Sequence, residues 1–190
     1  MTSTERVAIG DMAPDDRMPL TALFAAEDIA RRIETLADDI ARDFGEDFSL
    51  LCLMNGAFVF TADLARALAA RGSRPRIEFA SFKSYGESKE SSGRVRLIGE
   101  LPGSLAGAKV LLVDDILDTG RTLLTAKMMA EEAKATSVAT CVLLDKPARR
   151  AAPVEADYVG FTIDDVFVVG YGIDYAEKYR YLPDLAHIVD

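Results

Sequence analysis

Apolar positions recur along this chain in two rhythms. Residues 26–44 (AEDIARRIETLADDIARDF) place Ile29, Ile33, Leu36, Ile40 and Phe44 on one face at helical spacing, and Gly45 is suited to end the helix. FSLLCLM (48–54) is a continuous apolar run of strand length, followed by Asn55-Gly56. Residues 58–71 predict a second helix, stopped at Gly72. IEFASFKSY (77–85) and GRVRLIGEL (93–101) alternate in part and read as two strands joined by the polar GESKESS (86–92). Gly107 turns into a strand at 109–113, a loop rich in acids follows, and a helix is expected over 120–133. SVATCVLLD (137–145), DYVGF (157–161) and VFVVG (166–170) are further strands. Strands alternating with helices in this order predict an α/β fold, a mostly parallel central sheet flanked by helices. No repeat or low-complexity segment interrupts it.

The length, 190 residues, suits one domain, 1–190, with a core over about 26–165 and a small lobe from the N-terminal and C-terminal segments. Runs such as Val110–Val113 and Phe167–Val169 are far too short to span a bilayer. The opening MTSTERVAIGDMAPDD carries acids where a signal peptide has a basic start and an apolar stretch, so a cytoplasmic protein is expected. Cys52 and Cys141 sit inside apolar runs and read as small buried hydrophobes. The net charge is -9, and no basic run exceeds Arg31-Arg32 or Arg149-Arg150, which disfavours nucleic acid as a partner. A local basic pocket for a small phosphate ligand stays open.

The most informative stretch is VLLVDDILDTGRT (110–122), an apolar strand that runs into Asp114, Asp115 and Asp118 and then Thr119, Gly120, Arg121 and Thr122. A loop entering a helix N-terminus presents unpaired N–H groups and the positive end of the dipole, which suits a phosphate. Gly120 lets the backbone approach a ligand, and the threonines add hydroxyl donors. Adjacent carboxylates would repel a phosphate unless they served sugar hydroxyls or the Mg²⁺ that accompanies a polyphosphate. A phosphorylated ribose carrying a pyrophosphate satisfies both halves. Read singly, Asp118 is a helix cap and Asp114-Asp115 a solvated turn; the whole string after an apolar strand is what points to chemistry. A Walker A loop does not fit, because GSLAGAK (103–109) has the wrong spacing and precedes the strand.

VLLVDDILDTGRTL resembles the phosphoribosyl-pyrophosphate motif of the type I phosphoribosyltransferases. The likeness extends over nearly the whole chain to the hypoxanthine-guanine phosphoribosyltransferases, through LCLMNGAFVFTADLARAL, FKSYGESKESSGRVRLIGEL, LLDKPARR and VFVVGYGIDYAEKYRYLP. The resemblance implies the type I phosphoribosyltransferase fold with a small hood lobe. It also implies transfer of phosphoribosyl from phosphoribosyl pyrophosphate to hypoxanthine or guanine, giving IMP or GMP and pyrophosphate. It places Asp114 and Asp115 at the ribose hydroxyls, Asp118 as the base near purine N7, and Thr119, Gly120, Arg121 and Thr122 around the 5′-phosphate. Asn55, Gly56 and Arg180 fall to the pyrophosphate. Lys146 falls to the purine 6-oxo group, Phe167 to stacking on the base and Val168 to its edge. Asp174 is implied in holding a second Mg²⁺ and in helping to read a 2-amino group through its backbone, while Asp114 and Asp115 are the other implied Mg²⁺ ligands. Ser84 and Tyr85 would close as a lid, and a homodimer or homotetramer is expected. Where the family's pyrophosphate loop often has a lysine this chain has Asn55, which turns that contact toward backbone or Mg²⁺; a cis peptide before Asn55 is also compatible.

Other readings of the same residues remain. Lys146 alone could be a solvated strand-end lysine, Phe167 a core residue, GESKESS an idle surface loop, and His187 structural or exposed. A regulator that senses phosphoribosyl pyrophosphate without catalysis could use the same fold, as could a xanthine or pyrimidine transferase. Asp118, the polar inter-strand segment and the absence of a basic arm favour the enzyme.

Overall fold

In the computed structural model residues 19–85 and 94–189 are described, so the polar connection GESKESS (86–92) lies outside them. The elements run β1 (Leu20–Phe24), α1 (Ala26–Phe44), β2 (Ser49–Met54), α2 (Phe58–Ala70), β3 (Arg76–Tyr85), β4 (Arg94–Ile98), β5 (Lys109–Leu117), α3 (Arg121–Glu132), β6 (Ser137–Asp145), β7 (Tyr158–Thr162), β8 (Val168–Val169) and β9 (Leu185–Ile188). Six strands form the central sheet in the order β4-β3-β2-β5-β6-β7. All its pairings are parallel except β3 with β4.

Side chains alternate across each strand, so a strand covered on both faces must be apolar throughout. That is why β2 and β5 read as unbroken runs. Leu50, Leu111, Val113 and Leu143 pack toward α1 and α2. Leu51, Leu53, Val110, Leu112 and Val142 pack on the other face with Leu123, Ala126 and Ala130 of α3. Helix α1 starts at Ala25 with no side-chain cap, and buries Ile29, Ile33, Leu36, Ile40 and Phe44 along one face. A missing cap costs about 1 kcal/mol, whereas each such buried side chain contributes roughly 1.5–3 kcal/mol, so packing decides. The Ala26 N–H also finds Asp184 Oδ1 at 2.8 Å, tying the helix start to the C-terminal segment. Cys52 and Cys141 are free and buried; burial pushes the Cys52 thiol up to about 11 and raises that of Cys141 as well.

Three sequence expectations need correction. Strand β5 does not stop at Val113: its ladder with β6 continues through Asp114↔Val142, Ile116↔Leu144 and Leu117↔Asp145. Asp114 and Asp115 are therefore strand residues, held there by the apolar Ile116 and Leu117 beyond them. The run 166–170 is only a two-residue strand, β8, and it leaves the central sheet, because its partner is β9 running antiparallel. Strands β1 and β9, which the pattern did not suggest, complete a second sheet of order β1-β9-β8. His187 lies on β9, opposite Thr21 and Val168.

Candidate active site

The C-terminal ends of β2, β5 and β6 open on the same side of the sheet, as parallel pairing requires, and ligands in open α/β sheets collect there. The Met54–Asn55 peptide at the end of β2 is cis. The next residue, Gly56, lies so close to β5 that a Cβ there would sit 1.8 Å from Asp115 Oδ2. On the far side, a Cβ on Gly172 would meet the Gly56 carbonyl oxygen at 2.4 Å. Two glycines thus let three segments, 54–57, 114–115 and 170–173, stack without spacers. Asn55 itself is exposed.

Asp114 is 8% exposed, and its Oδ1 accepts the Asp115 N–H at 3.0 Å. Burial, then the neighbouring Asp115 charge, pushes the Asp114 carboxyl well above its ordinary range. Burial raises Asp115 too, while the Arg180 guanidinium opposes the rise. Arg180 also holds Asp174 Oδ1 at 2.8 Å and the Gly172 carbonyl at 2.8 Å. The structure therefore brings Asp114, Asp115, Gly56, Arg180 and Asp174 together at one end of the site. Among the described residues no three His, Cys, Asp or Glu side chains stand close enough to hold a metal by themselves. The Asp114-Asp115 pair offers hard oxygen donors of the kind Mg²⁺ takes alongside ligand oxygens and water.

A raised carboxyl pKa has a definite thermodynamic sign. Its contribution to stability is fully present below the unfolded value of 3.8 and is lost as pH rises through the folded value. At neutral pH the raised pKa of the pair therefore counts against the fold. Asp114→Asn keeps the acceptor for the Asp115 N–H and removes the charge. We expect the variant to melt above the wild type at pH 7, by about 2–4 °C per kcal/mol relieved, with the gap closing as pH falls toward 4. A variant that melts below the wild type at pH 7 would refute this reading of the pair.

Next along the chain, Gly120 caps the start of α3 with a left-handed φ of 81°, and the first turn of the helix holds no acid. Here a Cβ would strike Val154 Cγ1 at 2.7 Å and Arg150 Cδ at 2.9 Å, so glycine is required on both counts. Among the described residues no protein acceptor takes the N–H groups of Thr119, Gly120, Arg121 or Thr122. An open helix N-terminus of this kind can bind an anion.

Before α3, Asp118 Oδ1 is sealed from solvent and accepts no well-aligned hydrogen bond. Arg149 Nε stands 3.2 Å from it, and Arg149 Nη1 is 3.7 Å from Asp165. Lys146, at the end of β6, is 6% exposed and donates from Nζ to the Val166 carbonyl. Burial lowers the Lys146 pKa, while Asp118 and Asp165 work against that. Val168 is buried, whereas Phe167 is 53% exposed and meets Tyr175 edge-on, ring centroids 5.3 Å apart. Phe167 is therefore not a core residue. Asp118, Lys146 and the 165–168 segment form one continuous wall, separate from the Arg180 end. Ser84 and Tyr85 end β3 beyond the Met54↔Ser81 register, paired with Val95 and Arg94.

Sequence reasoning missed Arg149, Asp165, Gly172 and, above all, Arg150. A basic pair after Pro147 looks like surface, and only tertiary placement shows what these side chains touch.

A phosphoribosyl transferase domain matches residues 19–176. The chain is 38% identical over 165 residues to the hypoxanthine phosphoribosyltransferase of Escherichia coli strain K12, covering 85% of this chain and 91% of that one. It is 40% identical over 173 residues to the hypoxanthine-guanine phosphoribosyltransferase of Aquifex aeolicus strain VF5, covering 90% and 96%. Among solved structures, a hypoxanthine phosphoribosyltransferase from Staphylococcus aureus superposes with TM-score 0.82 at 36% identity, covering 88% of this chain and 90% of that chain. One from Trypanosoma cruzi, studied for the role of its C-terminal region in oligomeric state and enzymatic activity, gives TM-score 0.85 at 38% identity, covering 93% and 95%.

Proposed function

The chain belongs to the phosphoribosyl transferase domain family, and from that premise we propose that it transfers the 5-phosphoribosyl group of phosphoribosyl pyrophosphate to hypoxanthine, and to guanine, in purine salvage. The observation that carries the reading is the sequence of chemistries along one cleft. An open helix N-terminus free of acids follows a carboxylate with an unsatisfied buried oxygen, and a buried lysine is tied to the Val166 carbonyl, one residue before an exposed aromatic ring. The relatives named for hypoxanthine and guanine support the choice of base.

The reaction breaks the bond from ribose C1 to the pyrophosphate oxygen and forms a bond from C1 to purine N9. Positive charge gathers on the ribose ring in between, as it does in glycoside hydrolysis. The N–H groups of Thr119 to Thr122 hold the 5′-phosphate, and Asp114 and Asp115 hold the ribose hydroxyls. Asp118 accepts the N7 proton that the purine loses as N9 attacks. Lys146 donates to the 6-oxo group, Phe167 stacks on the base, and Val168 and Asp174 offer backbone to its edge. Asn55, Gly56 and Arg180 face the leaving pyrophosphate. Asp114 and Asp115 would hold one Mg²⁺ and Asp174 a second, and the metal would supply charge neutralisation for the departing pyrophosphate. Ser84 and Tyr85 close the cleft. We read the chain as one catalytic domain that works in the cytoplasm as a homodimer or homotetramer; among the described residues no helix is long and apolar enough to cross a membrane.

Assays of hypoxanthine, guanine, xanthine, adenine and uracil with phosphoribosyl pyrophosphate and Mg²⁺ test this directly. IMP and pyrophosphate should form in equal amounts from hypoxanthine, and excess chelator should abolish turnover. Binding of phosphoribosyl pyrophosphate with no product from any base would mark a sensor and overturn the proposal. Full activity in chelator would remove Mg²⁺ from it.

A further inference from the structure

The geometry points to Arg150 as a positioning residue that fixes the phosphate cradle, an inference that rests on the proposed function above. Its guanidinium is a four-way tie. Nε donates to the Asp118 carbonyl at 3.1 Å, Nη1 to the Val154 carbonyl at 2.7 Å, and Nη2 to the Leu117 carbonyl at 3.2 Å and to the Asp145 carboxylate. The side chain is 17% exposed, and its Cδ lies directly under Gly120. The residues after it continue the brace, since the Ala151 and Ala152 N–H groups both donate to the Thr119 carbonyl, at 3.0 and 2.9 Å.

The consequence is directional. The carbonyls of Leu117, Asp118 and Thr119 are all drawn toward the 150–152 segment, and the Lys146 N–H takes Leu117 as well. A peptide plane whose carbonyl is anchored on one side presents the N–H of the next residue to the other. Thr119 and Gly120 thus offer their N–H groups to the cleft, next to the open first turn of α3. Charge-assisted bonds from a planar fork suit this task. A lysine places one point charge and cannot span three carbonyls and a carboxylate at once. Arg150 sits behind the loop and needs no contact with substrate to act.

The test uses the full chain and two probes, ribose 5-phosphate for the cradle and Mg²⁺-pyrophosphate for the opposite end of the site, read by calorimetry. Arg150→Met keeps the aliphatic stem beneath Gly120 and removes the fork. We expect its Kd for ribose 5-phosphate to rise about 10–100-fold, the range for losing hydrogen bonds to a charged group, while the Kd for Mg²⁺-pyrophosphate stays within about 3-fold. Millimolar guanidinium should recover part of the loss. Arg150→Lys retains a charge for Asp145 and serves as the second variant if the first does not fold; it should weaken ribose 5-phosphate in the same selective way. In turnover, the KM for phosphoribosyl pyrophosphate should rise more than the KM for hypoxanthine. Wild-type affinity for ribose 5-phosphate in the folded variants, or an equal loss for both probes, would overturn the positioning role. A wild type that binds neither probe and turns over no base would instead fell the proposed function.

Discussion

Asp118→Asn should lower turnover with hypoxanthine roughly 10²–10⁴-fold, the usual span for a general acid–base group, with little change in the Kd for phosphoribosyl pyrophosphate. The separation follows from how the residue is held. Its backbone carbonyl, not its side chain, is what Arg150 fixes. Its Oδ1 is shielded from water with no aligned donor, so the carboxylate keeps a lone pair for a proton from the base. Arg149, 3.2 Å away and half exposed, is the only cation paired with it among the described residues. Asparagine matches the shape but cannot accept a proton at useful pH. Pre-steady-state kinetics would place the loss in the chemical step. A mutant that turns over within a few-fold of the wild type would take Asp118 out of proton transfer.

That prediction leans on a residue the chain announces and on another it conceals. The helical face of α1 and the unbroken runs of β2, β5 and β6 are legible because burial on one or two faces leaves a periodic mark on sequence. The acidic string is legible because three carboxylates have no structural reason to follow an apolar strand. Its exact placement was not. Asp114 and Asp115 look like turn residues, yet the parallel ladder to Val142, Leu144 and Asp145 keeps them in the strand. Strands β1 and β9 were invisible for a related reason. Each is short and is defined by long-range pairing, β1 with β9 more than a hundred and fifty residues away and β9 with β8 as well. Arg150 shows the same limit in the site. LLDKPARR carries the family likeness but no hydrophobic periodicity, and Arg150 gains its role only from carbonyls that the fold carries to it.

The second large effect is expected at Lys146, in the choice of base. Its ammonium has three N–H groups and no lone pair while charged. One N–H goes to the Val166 carbonyl, which leaves donors for a ligand. Hypoxanthine and guanine present a 6-oxo acceptor to them. Adenine presents an amino group, so donor would face donor inside a site that leaves the lysine 6% exposed. Sites built to hydrogen-bond one substrate group reject an analogue lacking it by about 10⁴–10⁵-fold. The expected result is efficient use of hypoxanthine and guanine and negligible use of adenine. Lys146→Ala should cost hypoxanthine roughly 10–150-fold in kcat/KM, the equivalent of one hydrogen bond to a charged group. Adenine should lose little or improve, because its unfavourable partner is gone, so the ratio between the two bases should narrow. The cradle at Thr119–Thr122 belongs to a different segment, and the Kd for ribose 5-phosphate should stay near the wild-type value. Steady-state kinetics with both bases, together with that Kd, give the full comparison. Equal use of adenine and hypoxanthine by the wild type would mean that Lys146 does not read the 6-position, and the assignment to 6-oxopurines would fail with it.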